Sequence, residues 1–219
     1  MEAAVALLSK APIAGFCKTR LCSHITSEQG AELQRLFIQD LANTIMSIPM
    51  PLQIYYLAPD KMPDNKSRQI ITNSLPRNIK FLSQQGSDLG ARMYNASLNI
   101  LTAYPAVIIV GSDLPQLGAD IYKQVTEQLE QSDLVIGPSS DGGYYLLALK
   151  KNCPELFMDI IWSTAGVLEE TLRKAKGLNL KTYLLSEKRD IDTYDDLLGF
   201  CAGKGYENLL SYQYAKTLL

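Results

Sequence analysis

The 219 residues hold one histidine, one tryptophan and four cysteines that form no C-x-x-C pair. With His24 alone and no nucleophile elbow near it, a Ser-His-Asp hydrolase is disfavoured, and His24 reads as a surface or capping residue. Cys17, Cys22, Cys153 and Cys201 sit in apolar or loop contexts, so free thiols that pack rather than react are expected. An excess of positive charge is missing too. Twenty-one Lys+Arg against 23 Asp+Glu give a formal net charge of −2, which provides no overall cationic field for nucleic acid or an acidic membrane. No apolar run approaches the roughly 20 residues of a membrane span, and Met1-Glu2 opens with an acid where a signal peptide carries basic residues. A soluble cytoplasmic protein without nucleic-acid or membrane partners is the expectation. Neither a repeat nor a low-complexity linker divides the chain, so residues 1–219 read as one domain. The 47% hydrophobic and 20% charged residues are enough for a core without disulfides or metal.

What is present alternates. Ala3 to Leu8 is an apolar run too short for a free-standing helix and ends in Ala11-Pro12 and Gly15, which predicts a buried strand. Thr26 with Gln29 is a capping-box pattern leading into Leu33, Leu36, Phe37, Leu41, Ile45 and Ile48 at helical spacing. Strands are predicted at Gln53 to Leu57, Ile79 to Leu82, Leu134 to Ile136, Tyr144 to Leu149 and Lys181 to Leu185. Ala106 to Val110 has the continuous β-branched character of a central parallel strand covered on both faces. Helices are predicted over Leu89 to Tyr104, over Ile121 to Leu129, from a Ser163-Thr164 cap through Ala175, from Thr193 onward, and over Glu207 to Leu219. Pro59 to Arg77, with scattered Pro, Asp, Asn and Lys, reads as a mobile connection. This order argues for a three-layer α/β domain with a mostly parallel sheet.

Ligands of such sheets bind beyond the carboxyl ends of the strands, and four segments fall there. Ser9 to Arg20 carries Lys10, Lys18 and Arg20 in a stretch, between Glu2 and Glu28, without a single acid. Backbone N–H groups and cations at a helix start suit a di- or triphosphate, while a solvated basic loop is the competing reading. The loop matches neither the Walker A pattern nor G-x-G-x-x-G. Gly111-Ser112-Asp113-Leu114-Pro115 places an acid at the end of the most apolar strand, suited to a divalent cation shared with substrate phosphates or to a turn cap. Gly137 to Tyr145 contains Asp141-Gly142-Gly143, where backbone can approach a ligand closely or simply turn a hairpin. In Arg189 to Asp196, the acids Asp195 and Asp196 fit a helix start. Asp190 and Asp192 flank Ile191 at the period of an extended segment and so point to one side, as a metal pair or as a solvated edge.

The succession of Ala6 to Leu21, Gln84 to Met93, Gly111 to Pro115, Gly137-Pro138 with Asp141 to Tyr145, Ile161 to Thr164, and Arg189 to Thr193 with Asp196-Leu197 resembles a bacterial family. That family comprises the selenodomain-associated transferase 1, or arsenosugar-type glycosyltransferase, proteins of the nucleotide-diphospho-sugar transferase superfamily, which are related to phospholactate guanylyltransferase. The resemblance spans roughly residues 4 to 200. It implies a GT-A, Rossmann-like fold and a transferase that moves a glycosyl or nucleotidyl group from a nucleoside triphosphate or nucleotide-sugar to a small acceptor. Mg²⁺ or Mn²⁺ is the implied cofactor, and a monomer or homodimer the implied state. By the same likeness Leu8, Ser9, Lys10, Ala11, Pro12, Gly15, Lys18, Arg20, Gln85, Gly90, Arg92 and Ser112 would bind nucleotide. Lys18, Arg20 and Asp113 would be catalytic, and Asp113 with Asp192 or Asp190 would hold the metal. Asp141, Gly142, Gly143, Trp162, Ser163 and Thr164 would shape the acceptor pocket. The chain departs from the family pattern in having Ser112-Asp113 where many glycosyltransferases carry Asp-x-Asp, and in lacking the Gly-Gly of typical nucleotidyltransferases. A non-catalytic nucleotide-binding module on the same fold is the alternative function.

Overall fold

A computed structural model of the chain describes residues 2–73, 75–76 and 79–219. Seven strands form one sheet: β1 Ala4–Lys10, β2 Leu52–Leu57, β3 Lys80–Ser83, β4 Val107–Gly111, β5 Leu134–Pro138, β6 Tyr144–Leu149 and β7 Thr182–Leu184. Their order is β3-β2-β1-β4-β6-β5-β7. All neighbours are parallel except at β6, which is antiparallel to both β4 and β5. The cause is local. Asp141-Gly142 closes a tight turn between β5 and β6, so β6 must run back, and it enters the sheet beside β4. The expectation of a wholly parallel setting for the Ala106 to Val110 strand is thereby corrected on one side. The mostly parallel sheet holds, and its strand order reverses at β1/β4.

Helices cover both faces: α1 Ser27–Met46, α2 Asp64–Thr72, α3 Leu89–Leu101, α4 Ala119–Gln131, α5 Val167–Gly177, α6 Tyr194–Ala202 and α7 Leu210–Lys216. The α1 start has the predicted capping box, with Thr26 Oγ1 accepting from Gln29 N–H and Gln29 Oε1 accepting from Thr26 N–H. Leu41, Ile45, Ile54, Ile108 and Tyr122 fill the core on one face, while Met93, Ala96, Ile100, Ile109 and Ala175 fill it on the other. Leu33 and Phe37 on α1 meet Leu197 and Phe200 on α6 in a third cluster. The buried Asp40 carboxylate accepts from the N–H groups of Leu210 and Ser211, which places its charge at the start of α7.

Three sequence expectations are corrected. Within Pro59 to Arg77 the chain is helical over Asp64–Thr72, because Ser67 and Ile71 are buried. Asp64 also accepts from the hydroxyls of Tyr56 at 2.8 Å and Ser83 at 2.5 Å; Arg77 itself lies outside the described residues. Ser163-Thr164 does not cap α5. Ser163 has φ 63°, the Thr164 hydroxyl donates to Ile161 O, and the helix starts after Gly166 without a side-chain cap. The terminal helix is also shorter than the span from Glu207 to Leu219, covering Leu210–Lys216.

Candidate active site

The carboxyl ends of β1 and β4 and the start of β6 meet at one edge of the sheet, where a cleft of about 780 Å³ opens. Parallel β1 and β4 deliver Ser9-Lys10 and Ser112-Asp113 side by side, since Leu8 is in register with Gly111. Gln34 on α1 locks them together: its buried Nε2 donates to Ser9 Oγ at 2.8 Å and to Ser112 Oγ at 2.7 Å. Across β2, Gln84 Nε2 donates to the carbonyls of Ser9 at 3.0 Å and Tyr55 at 2.9 Å. Strand ends bound this way hold the cleft-lining loop with little freedom.

Lys18 is not a free cation. It has φ 49° ahead of a 3-10 turn, and its side chain, only 3% exposed, passes 4.5 Å over the Phe37 ring. Its Nζ donates to Asp113 Oδ1 at 2.5 Å and to the Ile191 carbonyl at 2.7 Å. The ammonium therefore clamps the end of β4 to the 190–192 segment, and Ile191 N–H closes the same junction by donating to Asp113 O. Arg20 is 71% exposed and pairs with Asp192 at 3.1 Å, so it can swing toward an incoming anion at little cost. Lys10 lies 5.5 Å from the Phe16 ring, and Arg92 Nε donates to Gly86 O.

Asp190 and Asp192 share a side, as their alternation with the buried Ile191 predicts. Burial, with the Asp113 charge next in weight, pushes the Asp190 carboxyl up to about 7, against the Ser139 hydroxyl that donates to its Oδ2 at 3.0 Å. Its Oδ1 is buried with no protein partner. Burial and Asp113 raise Asp192 as well, opposed by Lys18 and Arg20. Among the described residues no three His, Cys, Asp or Glu gather closely enough to hold a metal ion, so Asp113, Asp190 and Asp192 do not form a three-ligand cage. Carboxylates that raise one another's affinity for protons nevertheless favour a cation between them.

The far wall is Asp141, Gly143, Tyr144, Tyr145 and the segment from Trp162 to Ala165. Its pieces are docked to one another: a side chain at Gly142, φ 88°, would collide with Ala165, and Leu168 N–H donates to Gly142 O. Trp162 and Tyr144 form a T-shaped pair with ring centroids 6.4 Å apart. Its indole leans on Gly90, where a Cβ would strike both Trp162 and the Phe157 carbonyl.

Of the residues singled out in the sequence, Leu8, Ser9, Lys10, Lys18, Arg20, Arg92, Ser112, Asp113, Asp141, Gly143, Trp162, Ser163, Thr164, Asp190 and Asp192 line this cleft. Ala11, Pro12, Gly15, Gln85, Gly90 and Gly142 do not. Ala11 and Pro12 are buried, with Ala11 N–H bound to Leu57 O; Gly15 turns in solvent at φ 75°; Gln85 is exposed. Gly90 and Gly142 act behind the wall by admitting Trp162 and Ala165. Gln34, Gln84 and Ser139 were missed. Gln34 had a readable signal, a lone amide on the apolar stripe of Leu33, Phe37 and Leu41, whereas the pairings of Gln84 and Ser139 depend on tertiary contacts.

The chain is similar to known proteins. A family model described as "Uncharacterized protein conserved in bacteria (DUF2064)" matches residues 49–164. A 2-phospho-L-lactate guanylyltransferase of Methanobrevibacter smithii is 26% identical over 141 residues, which cover 64% of this chain and 59% of that protein. The match thus reaches less than two thirds of the relative's length. The crystal structure of a proposed nucleotide-diphospho-sugar transferase from Desulfovibrio desulfuricans G20 superposes with a TM-score of 0.89 at 28% identity, covering 99% of this chain and 95% of that one. The manganese complex of Rv0371c from Mycobacterium tuberculosis H37Rv has a TM-score of 0.53 at 10% identity, covering 91% and 97% of the two chains, a likeness of fold. The fold is that of nucleotidyltransferases and nucleotide-diphospho-sugar transferases. Among the described residues no helix is long and apolar enough to cross a membrane.

Proposed function

We propose that this chain, which belongs to the bacterial DUF2064 family, is a nucleotidyltransferase, taking a nucleoside triphosphate and transferring its nucleotidyl group to a small acceptor. The observation that carries this reading is the meeting of Ser9-Lys10, Ser112-Asp113 and the Asp190 to Asp192 segment in one cleft at the reversal of strand order. Similarity to a 2-phospho-L-lactate guanylyltransferase supports it.

In this reading the triphosphate lies along the loop from Ser9 to Arg20, where Lys10, Arg20 and Arg92 supply mobile positive charge. Lys18 fixes the distance between Asp113 and the 190–192 segment. Asp113 and Asp192, with Asp190 beside them, fit a divalent cation because Asp190 Oδ1 is buried without a partner and the three charges face one another. With no cage of three protein ligands, such a cation would take one or two carboxylates and the rest of its ligands from phosphate and water, as Mg²⁺ does. Bound there, Mg²⁺ or Mn²⁺ would neutralise charge on the leaving pyrophosphate. Trp162, Ser163, Thr164 and Asp141 would face the acceptor.

Glycosyl transfer from a nucleotide-sugar is the second reading, favoured by the Desulfovibrio relative. A thermal-shift panel of nucleoside triphosphates and nucleotide-sugars, each with and without Mg²⁺ and Mn²⁺, tests both. A bound ligand at about 100 times its Kd adds roughly 2.7 kcal/mol. Metal-enhanced stabilisation by a triphosphate, followed by pyrophosphate release, is expected. Stabilisation by nucleotide-sugars with release of nucleoside diphosphate would favour the second reading, and binding without turnover would leave a nucleotide-binding module.

A further inference from the structure

The charges lining the cleft are segregated. Lys10, Lys18, Arg20 and Arg92 all come from β1, the loop after it and α3. From residue 139 onward the lining contributes Asp141, Asp190 and Asp192 but no lysine, arginine or histidine. Lys18 and Arg20 already face Asp113 and Asp192. Lys188 and Arg189, next to Asp190 in sequence, line a separate cavity that also borders Ile191, with Arg189 paired to Asp196. The start of α5 adds little for an anion, because the N–H groups of Val167 and Leu168 donate to Thr164 O and Gly142 O. On the other side Arg92, two residues beyond the Gly90 that Trp162 touches, is a lining cation on α3.

A phosphate or carboxylate placed against this wall would meet like charge from Asp141, even with a divalent cation between Asp113 and Asp192. Hydroxyl groups meet acceptors there, and Trp162, a partly buried aromatic of the lining, adds apolar surface against which the C–H side of a ring can pack. Resting on the nucleotidyl-transfer reading above, we propose that the acceptor is an uncharged polyhydroxylated molecule of the sugar or polyol class, held between Trp162 and Asp141. It differs in this from the 2-phospho-L-lactate named for the Methanobrevibacter relative. An acceptor hydroxyl oxygen attacks the α-phosphorus and forms the new O–P bond. The bond from the α-phosphorus to the bridging oxygen breaks, pyrophosphate leaves with the electron pair, and the hydroxyl proton passes to water. The product is a phosphodiester, with nothing oxidised or reduced.

Trp162 is the only tryptophan, so its fluorescence reports this wall alone. The full-length chain is titrated, without nucleotide, with glucose, ribose and glycerol and with glucose 1-phosphate, ribose 5-phosphate and glycerol 3-phosphate. A neutral member should change Trp162 emission at a Kd at least about tenfold below that of its phosphorylated partner. Asp141→Lys should reverse the order by a similar factor, with Asp141→Asn between the two. Equal or tighter binding of the phosphorylated partners, no response to either set, or an Asp141→Lys variant that folds yet keeps the wild-type order would overturn the proposal. Because no nucleotide is present, these outcomes stand apart from the triphosphate panel, whose failure would sink the nucleotidyl reading and leave the polyol subsite standing.

Discussion

Replacing Asp190 by Asn should stabilise the protein at high pH and not at low pH. The Asp190 carboxyl is displaced from an ordinary 3.8 to about 7, first by burial and then by Asp113. A raised carboxyl affinity for protons means that the folded state binds one where the unfolded state does not. The cost of ionised Asp190 is thus absent below about pH 4, grows between pH 4 and 7, and is complete above pH 7. Three pKa units at about 1.4 kcal/mol each set a ceiling near 4 kcal/mol; partial solvent contact brings the expected gain to about 1–3 kcal/mol. Asn retains an oxygen to accept from Ser139 Oγ, so the polar contact survives. Urea unfolding followed by circular dichroism in chelator-containing buffer at pH 5 and pH 8 reads the difference. An Asp190→Asn variant that is less stable at pH 8, or whose gain is the same at both values, would contradict the assignment of Asp190 to a buried, charge-crowded site.

Asp113→Asn should act in the opposite direction, because it removes the negative charge facing the buried Lys18 ammonium and leaves it only neutral acceptors, the Asn oxygen and the Ile191 carbonyl; a loss of about 1–3 kcal/mol in the same unfolding assay is expected. Arg20→Glu should weaken triphosphate binding by about 1.5–3 kcal/mol in calorimetry while the melting temperature barely moves, since Arg20 is exposed; unchanged affinity would make the loop a solvated surface. Gly90→Ala should displace the Trp162 indole, shift its fluorescence and destabilise by about 1 kcal/mol despite the better helix propensity of Ala, because its methyl group collides with Trp162 and the Phe157 carbonyl.

Most of the strands and helices were legible because their apolar spacing is regular, and the α1 and α6 starts because a capping box is a local pattern: Thr26 with Gln29, Thr193 with Asp196. The common direction of Asp190 and Asp192 followed from strand alternation around Ile191. What sequence concealed were pairings between distant segments. Lys18 looked free because no acid lies near it along the chain, yet Asp113 reaches it from 95 positions away. The place of β6 between β4 and β5 depended on where the β5–β6 hairpin inserts, which a local turn does not specify. Helix α2 hid among polar residues because its anchor, Asp64, is held by Tyr56 and Ser83 from other elements.

The central claim, that Asp113 presents a cation to bound nucleotide in this cleft, meets its most direct test in calorimetric titration of Mg²⁺ or Mn²⁺ into nucleotide-saturated protein. Wild type is compared with Asp113→Asn and with Asp195→Asn, an exposed first-turn acid of α6. Metal affinity should fall at least about tenfold in Asp113→Asn, which is 1.4 kcal/mol, and stay at the wild-type value in Asp195→Asn. Equal metal affinity in all three proteins would contradict the claim and remove Asp113 from the site.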